Sequence, residues 1–292
     1  MAACTKKSKL GITIIDELRL CFMAEPCLLQ TLSSIMVGER VLFGTLLLYR
    51  IIGQHFRYVF VVVDEHRNEV GKLYFGRYGN NIYDCNYIWF KVANKVLYET
   101  RLYDTIQEIQ CTLGLSFNNF TSLDLAKDFT KNITYAIKRY MTNPQITTII
   151  NGKAVRDRKH IIQEAFYVYK CSLDRIKDPT LYIAQKEAVN NKAKGVRVCS
   201  YDKKSEIEKS DKTYINEFYK NPKRLFRLEV HLNSDEIRDY LNKEHRRQAI
   251  DIIVDQELLT AIYYYHLSSV LRFSKGRKPI PWSNVLGIDS PR

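Results

Sequence analysis

Long hydrophobic runs are missing from this sequence of 292 residues. The best of them, from Val41 to Tyr49, lies between Arg40 and Arg50 and has less than half of the roughly 20 residues that a transmembrane helix needs. The N-terminus also lacks the pattern of a signal peptide, because neither a long apolar core nor a small-residue cleavage site follows its lysines. These absences predict a cytoplasmic protein that has no membrane partner.

Closely spaced cysteine pairs are missing as well. The seven cysteines are scattered and form no CxxC motif, which excludes a zinc ribbon and a thioredoxin-like site, and we expect them to be reduced thiols. The composition, with 46% apolar and 26% charged residues, excludes collagen-like, disulfide-stapled and disordered chains. The chain is therefore expected to form one large globular domain or two small ones.

Positive charge is present in excess and lies almost entirely in the second half of the chain. Residues 1–130 hold 14 basic and 13 acidic side chains, whereas residues 131–292 hold 31 and 19. A net charge of +13 distributed in this way favours a polyanionic partner, with nucleic acid first and an anionic membrane surface second. A merely soluble basic protein is the alternative.

Alternating apolar residues predict an α+β fold with a large, mainly antiparallel sheet. Strands at 56–63 and 70–75 are expected to form a hairpin, since the polar stretch 64–68 separates them. Further strands are predicted at 83–92, 122–129, 164–169, 181–185, 195–203 and 224–232.

Helices are predicted between these strands and in the C-terminal part. One covers 103–113 and stops at Gly114, and a second covers 132–141. Ser234 has the side chain of an N-cap, so one or two helices are expected from there to about Phe273. The basic residues 275–278 are expected to form a surface tail.

Two carboxylates occupy one face of the strand predicted at 122–129. Asp124 and Asp128 alternate with Leu123 and Leu125, which face the other way. A buried carboxylate has to be solvated, paired or bound to a metal, because an unpaired buried charge is very costly. A metal site, an ion pair with a basic residue and, for Asp128, a helix cap all stay open at this point.

A tyrosine stands among cations in the segment 197–206. In an extended chain Arg197, Cys199, Tyr201 and Lys203 share one face. Positive charge lowers the pKa of a phenol from about 10 and favours the phenolate, and the same cations would bind a phosphate. The alternative is a structural role, because the chain has 20 tyrosines.

The strand predicted at 224–232 has Arg227, Glu229 and His231 on the face opposite its apolar residues. Arg227 and Glu229 would either pair with each other across the sheet or contribute to a site. Carboxylates, a tyrosine and cations together are the groups that metal-assisted phosphodiester transfer requires.

Four segments in a fixed order resemble the replication initiation factor family, the trans-acting rolling-circle initiators of plasmids, phages and mobile elements. They are Leu-Asp-Leu-Ala-Lys-Asp at 123–128, Leu-Tyr-Ile-Ala at 181–184, Tyr-Asp-Lys-Lys-Ser-Glu at 201–206 and Arg-Leu-Glu-Val at 227–230. The resemblance implies a twisted antiparallel sheet flanked by helices and a DNA nicking and strand-transfer core at 105–235. An N-terminal mixed part at 1–104, without an assigned role, and a helical, basic part at 236–292 would flank this core.

The resemblance also implies roles for single residues. Tyr201 would attack DNA at the replication origin and form a 5′-phosphotyrosine link, assisted by Lys203 and by Arg227 as a phosphate contact. Asp124 and Glu229, with Asp128 as a further ligand, would hold Mg²⁺ or Mn²⁺. Apart from the resemblance, the residues expected to contact DNA are Arg197, Lys204, Arg156, Arg158 and Lys159, and for the basic stretch that contains the last three a solvated loop is the alternative. The implied partners are origin DNA, single-stranded or in a stem-loop, a helicase of the bacterial host and a second copy of the chain.

Two other functions are compatible with the same sequence. A non-catalytic, sequence-specific DNA-binding protein would keep its function in Tyr201→Phe. An RNA-binding or capsid-like protein would stack unpaired bases on its aromatic residues and would not need Asp124.

Overall fold

A computed structural model describes residues 10–79, 86–155, 180–184 and 195–287. It confirms the predicted fold class, α+β, with a ten-stranded antiparallel sheet and a four-stranded sheet. Eight α-helices lie in the described residues. None of the helices in these ranges has the length and the apolar character that a membrane span requires.

The elements are numbered in chain order. The strands are β1 (Thr13–Met23), β2 (Arg40–Phe43), β3 (Leu46–Ile51), β4 (Phe56–Val63), β5 (Glu69–Arg77), β6 (Tyr87–Val92), β7 (Ser116–Phe129), β8 (Thr147–Ile150), β9 (Lys153–Val155), β10 (Leu181–Ala184), β11 (Arg197–Asp202), β12 (Phe226–Asn233), β13 (Leu271–Lys275) and β14 (Lys278–Ile280). The helices are α1 (Pro26–Ser34), α2 (Leu102–Leu113), α3 (Ile133–Thr142), α4 (Lys203–Ser210), α5 (Thr213–Phe218), α6 (Ser234–Lys243), α7 (Gln256–Val270) and α8 (Trp282–Leu286).

The ten-stranded sheet has the order β10-β11-β12-β7-β1-β6-β5-β4-β3-β2, and the four-stranded sheet has the order β14-β13-β8-β9. The predicted hairpin of β4 and β5 is confirmed, with Tyr58 opposite Phe75 and Phe60 opposite Leu73. β7 begins at Ser116, six residues before the predicted start. Its second half contains both predicted carboxylates, so the sheet positions them.

The chain divides into two compact units. The first comprises residues 1–14, 124–236 and 256–292, and the second comprises residues 15–123 and 237–255. These units cut across the three consecutive segments expected from the sequence, because each unit combines stretches that are distant along the chain. The functional roles expected for those segments remain predictions.

The second unit has a clear separation of faces. Leu20, Phe60 and Phe90 are fully buried on one side of its strands, where the even-numbered positions of β1, β4 and β6 form the core. Helix α2 ends as predicted, because Gly114 adopts the left-handed conformation (φ 61°) that glycine accommodates best.

The first unit contains the strands that carry most of the predicted site residues. On one face of β11 and β12, Ser200 shares a hydrogen bond of 2.7 Å with Thr134 of α3. On the same face, Tyr263 of α7 donates a hydrogen bond of 3.1 Å to the carbonyl oxygen of Leu228. Helices therefore cover this face, and the polar residues of β11 and β12 lie on the opposite one.

Two local predictions differ from the structure. β11 stops at Asp202, whose carboxylate accepts a hydrogen bond of 3.0 Å from the N–H of Ser205 and caps α4, so Lys203 begins a helix instead of ending a strand. The residues after α7 form the β13–β14 hairpin of the four-stranded sheet instead of a basic tail, because Leu271 and Phe273 are buried in alternation. The strand predicted at 164–169 lies outside the described residues.

Candidate metal and nucleophile site

Three strands of the first unit present polar side chains on one face of the sheet, which we call the site face. The cross-strand pairs of β11 and β12 on this face are Arg197–His231, Cys199–Glu229 and Tyr201–Arg227. Asp124 and Asp128 of β7 contact two of these side chains, His231 and Arg227. The alternation predicted for β12 therefore brings its polar residues to the predicted carboxylates.

One group on this face could hold a metal ion. Asp124, Glu229 and His231 each offer a ligand atom, and these atoms lie within 4.8 Å of one another. His231 Nδ1 is 2.8 Å from Asp124 Oδ2, and His231 Nε2 is 3.6 Å from Glu229 Oε1. Carboxylate oxygens and an imidazole nitrogen are common ligands of divalent metals in proteins, so the donor set fits a divalent cation.

The imidazole of His231 is strongly biased toward its protonated form. Burial lowers its pKa, but hydrogen bonds to Asp124 and Cys199 and the negative charges of Glu229 and Asp124 outweigh burial and raise the pKa to about 11. A metal ion that binds a histidine takes the place of a proton. The same two carboxylates that stabilise the imidazolium would therefore stabilise a bound cation.

The predicted nucleophile contacts this group directly. The phenol of Tyr201 donates a hydrogen bond of 2.9 Å to Glu229 Oε2. The other oxygen of the same carboxylate faces His231. Glu229 therefore joins the tyrosine to the candidate metal ligands, and it is placed to accept the phenolic proton.

Lys203 lies beside Tyr201, although it belongs to α4. Its Nζ is 5.7 Å from the centre of the Tyr201 ring and forms an ion pair of 2.7 Å with Glu206. The Lys203 side chain is almost completely buried. The predicted proximity to the phenol is thus present, while its charge is also shared with Glu206.

Arg227 and Asp128 form a separate, fully buried pair. Arg227 Nε and Nη2 donate to the two carboxylate oxygens of Asp128 at 2.7 and 2.6 Å, and the Tyr219 hydroxyl donates to Asp128 Oδ2 at 2.7 Å. Asp128 is therefore not among the converging metal ligands. Arg227 is buried against Asp128, so this geometry gives no support to its predicted role as a phosphate contact.

The residues expected to contact DNA are spread over several places. Arg197 is half-buried on the site face, directly opposite His231. Lys204 donates a hydrogen bond of 3.0 Å to Asn216 and is partly exposed. Arg156, Arg158 and Lys159 lie outside the described residues.

Two residues of the site had no assigned role in the sequence analysis. His231 was signalled only by its position two residues after Glu229 on an alternating strand, which puts both on one face. Tyr219 lies between α5 and β12 and carries no sequence signal that links it to Asp128. The first could have been found from alternation, whereas the second depends on tertiary packing.

No model of a known protein family matches the chain, and no curated protein matches it significantly. The resemblance to the replication initiation factor family therefore rests on the four sequence segments given above.

Proposed function

We propose that this protein is a metal-dependent DNA nicking and strand-transfer enzyme that initiates rolling-circle replication. The observation that carries the proposal is the hydrogen bond from Tyr201 to Glu229, because one carboxylate connects a nucleophile to a group of metal ligands. The order of the four sequence segments and the net charge of +13 support the same function.

The nicking step exchanges one phosphate ester for another. The Tyr201 oxygen attacks a DNA phosphorus while its proton passes to Glu229 Oε2, and the bond from phosphorus to the neighbouring O3′ breaks. The O3′ takes a proton from water and becomes a free 3′-hydroxyl, and the 5′-phosphate stays on Tyr201. Because one ester replaces another, the reverse step can rejoin a strand.

The surrounding residues supply charge for this step. A divalent cation held by Asp124, Glu229 and His231 would polarise the phosphate as a Lewis acid. Lys203 adds positive potential next to the phenol. Arg197 is the basic residue of β11 on the site face, and we expect it to contact a flanking phosphate.

The test is covalent capture of DNA. The protein is incubated with Mn²⁺ and either supercoiled plasmid carrying its coding sequence and flanking DNA or labelled single strands that tile the same region. We expect an adduct that survives denaturation, disappears with EDTA and disappears in Tyr201→Phe. Tyr182→Phe is the matched control, because Tyr182 is a tyrosine of the neighbouring strand β10, where it lies opposite Cys199. This variant is expected to leave the adduct unchanged.

Two outcomes would contradict the proposal. An adduct that persists in Tyr201→Phe would assign the nucleophile to another residue. Tight binding of cognate DNA without any nick or adduct would favour the non-catalytic DNA-binding protein instead.

A further inference from the structure

Strands β1, β5 and β6 of the second unit carry two parallel rows of side chains on the face opposite the core. In the first row Lys72 lies opposite Lys91, which lies opposite Arg19; we call it the cation row. In the second row Tyr74 lies opposite Trp89; we call it the aromatic row. The two rows are two residues apart along each strand, a distance of about 7 Å.

The cation row continues across the remaining strands of this unit. Lys72 lies opposite Val61, Val61 lies opposite Tyr49, and Tyr49 lies opposite Arg40. The Arg40 guanidinium is 5.3 Å from the centre of the Tyr49 ring. Since neighbouring strands are about 4.8 Å apart, the row from Arg19 to Arg40 spans about 24 Å.

Further aromatic side chains extend the aromatic row. The Phe56 ring lies 5.6 Å from Tyr74 and 5.5 Å from Trp89, and the Tyr87 ring lies 6.4 Å from Trp89. Tyr87 is exposed, and Trp89 and Tyr74 are half-buried, so the edges or faces of these rings are accessible. The aromatic groups form one continuous patch beside the cations.

The cation row is electrostatically unfavourable for folding. Like charges directly opposite each other across a sheet destabilise the pairing. Glu17 offsets part of this repulsion, because its carboxylate lies 2.8 Å from both Arg19 Nε and Lys91 Nζ. Among the described residues, no carboxylate is within ion-pair distance of Lys72. Residues 1–130 have a net charge of only +1, so general basicity does not account for the row.

We infer that this face of the second unit binds single-stranded DNA, with bases stacked on Trp89 and Tyr74 and phosphates on the cation row. Adjacent aromatic and cationic groups are the combination with which sheets and grooves bind single strands. A duplex hides the faces of its bases inside the stack, so the patch favours unpaired strands. This binding would require neither a metal ion nor nicking, and therefore goes beyond the proposed function.

Binding is measured with a fluorescein-labelled 20-nucleotide oligothymidylate by anisotropy, in EDTA and at several salt concentrations, on the full chain with Tyr201→Phe. We expect Trp89→Leu to weaken binding by about 5- to 100-fold, as for the loss of one base stack. Lys72→Gln is expected to reduce the slope of log affinity against log salt by about 0.7. Lys95→Gln is the matched control, because Lys95 is exposed outside both rows.

Tryptophan fluorescence locates the contact independently of affinity. The chain has two tryptophans, Trp89 in the aromatic row and Trp282, which is buried in α8. We expect oligothymidylate to quench the fluorescence of the Trp282→Phe variant and to leave that of Trp89→Phe unchanged. Circular dichroism of each variant verifies the fold. The affinity of Lys72→Gln tests the same binding surface without a change to an aromatic residue.

Several results would overturn the inference. Affinity that is unchanged in both Trp89→Leu and Lys72→Gln would assign the DNA contact to another surface. Absence of binding would show that this face does not bind single-stranded DNA. Equal affinity for a duplex of the same length would contradict single-strand recognition. Tighter binding of oligouridylate would identify RNA as the partner. A change of oligomeric state in Trp89→Leu, measured by light scattering, would identify a second copy of the chain.

Because the assay contains no metal and uses Tyr201→Phe, its failure would not affect the proposed nicking function, and the absence of nicking would not affect this inference.

Discussion

Asp124 and Asp128 are four residues apart on the same face of β7, yet their surroundings give them different roles. Asp124 keeps some exposure and bonds to the edge of the His231 ring. Asp128 is completely buried between Arg227 and Tyr219. Asp124 could exchange its histidine partner, whose side chain is partly exposed, for a metal ion. Asp128 accepts hydrogen bonds from both Arg227 and Tyr219 and could not move without leaving the buried arginine charge uncompensated.

We expect Asp128→Asn to reduce the free energy of unfolding by about 3–5 kcal/mol, because it leaves the Arg227 guanidinium buried without a compensating charge. Urea unfolding measures the effect. Asp239→Asn is the matched control and is expected to change stability by less than about 0.5 kcal/mol, since Asp239 is exposed on α6. A loss below about 1 kcal/mol in Asp128→Asn would show that the pair contributes little to folding.

Alternation in the sequence assigned Asp124, Glu229 and Tyr201 each to one face of its own strand, and the strand order β11-β12-β7 brings those faces together. It could not separate Asp124 from Asp128, because period-two spacing gives both the same face and carries no information about which carboxylate meets an arginine. That distinction depends on the register of β7 against β12 and on the position of Tyr219. These are tertiary features that local sequence does not encode.

At the scale of secondary structure, the elements that end at a specific residue type are the most reliably predicted. α2 stops at Gly114, and α3 begins after Asn132, whose side chain accepts a hydrogen bond from the N–H of Tyr135. The end of β11 was harder to place. By residue type the strand could continue, because Lys203 would share a face with Tyr201 in an extended chain. In the structure the Asp202 carboxylate caps α4, so the strand ends at Asp202.

We expect Gly114→Ala to destabilise the protein by about 1 kcal/mol, because a side chain is disfavoured at the positive φ of this helix end. Thermal and urea unfolding measure the change. No atom lies within 4 Å of an added Cβ, so steric overlap does not contribute. Gly114→Asn is the comparison, and it is expected to lose less stability because asparagine tolerates this conformation better. Equal stability of Gly114→Ala and the wild type would contradict this account of the helix end.

At the scale of the whole molecule, charge is distributed unevenly. The net charge of residues 131–292 is +12, while the candidate metal site, formed by Asp124, Glu229 and His231, is lined by carboxylates. Such a distribution suits a protein that attracts a polyanion over a broad surface and binds a cation at one point. This asymmetry can be read from the sequence, but the division into two units cannot, because each unit combines segments that are distant along the chain.

Acid is expected to destabilise the protein through His266 of α7. Burial lowers the pKa of its imidazole to about 4, against the opposing effect of a hydrogen bond with the backbone of Glu236. Below pH 6.5 the unfolded chain binds a proton that the folded chain does not, so stability is lost as the pH falls toward 4. At pH 5 the loss from this residue is about 2 kcal/mol relative to pH 7.5.

The measurement is urea unfolding at pH 7.5 and pH 5 for the wild type and His266→Leu. The variant should lose about 2 kcal/mol less than the wild type between the two pH values. An identical loss in both proteins would show that His266 does not titrate differently in the folded state. His66→Leu, at an exposed histidine, serves as the control.

The most direct test of the central claim is to identify the residue that carries DNA. The adduct formed with Mn²⁺ is trimmed with nuclease, digested with trypsin and sequenced by tandem mass spectrometry. Trypsin releases residues 198–203, which include Tyr201 and no other tyrosine. We expect a nucleotide 5′-phosphate on Tyr201 that is absent when EDTA replaces Mn²⁺. A nucleotide on any other side chain, or a nick with no protein-linked nucleotide, would contradict it.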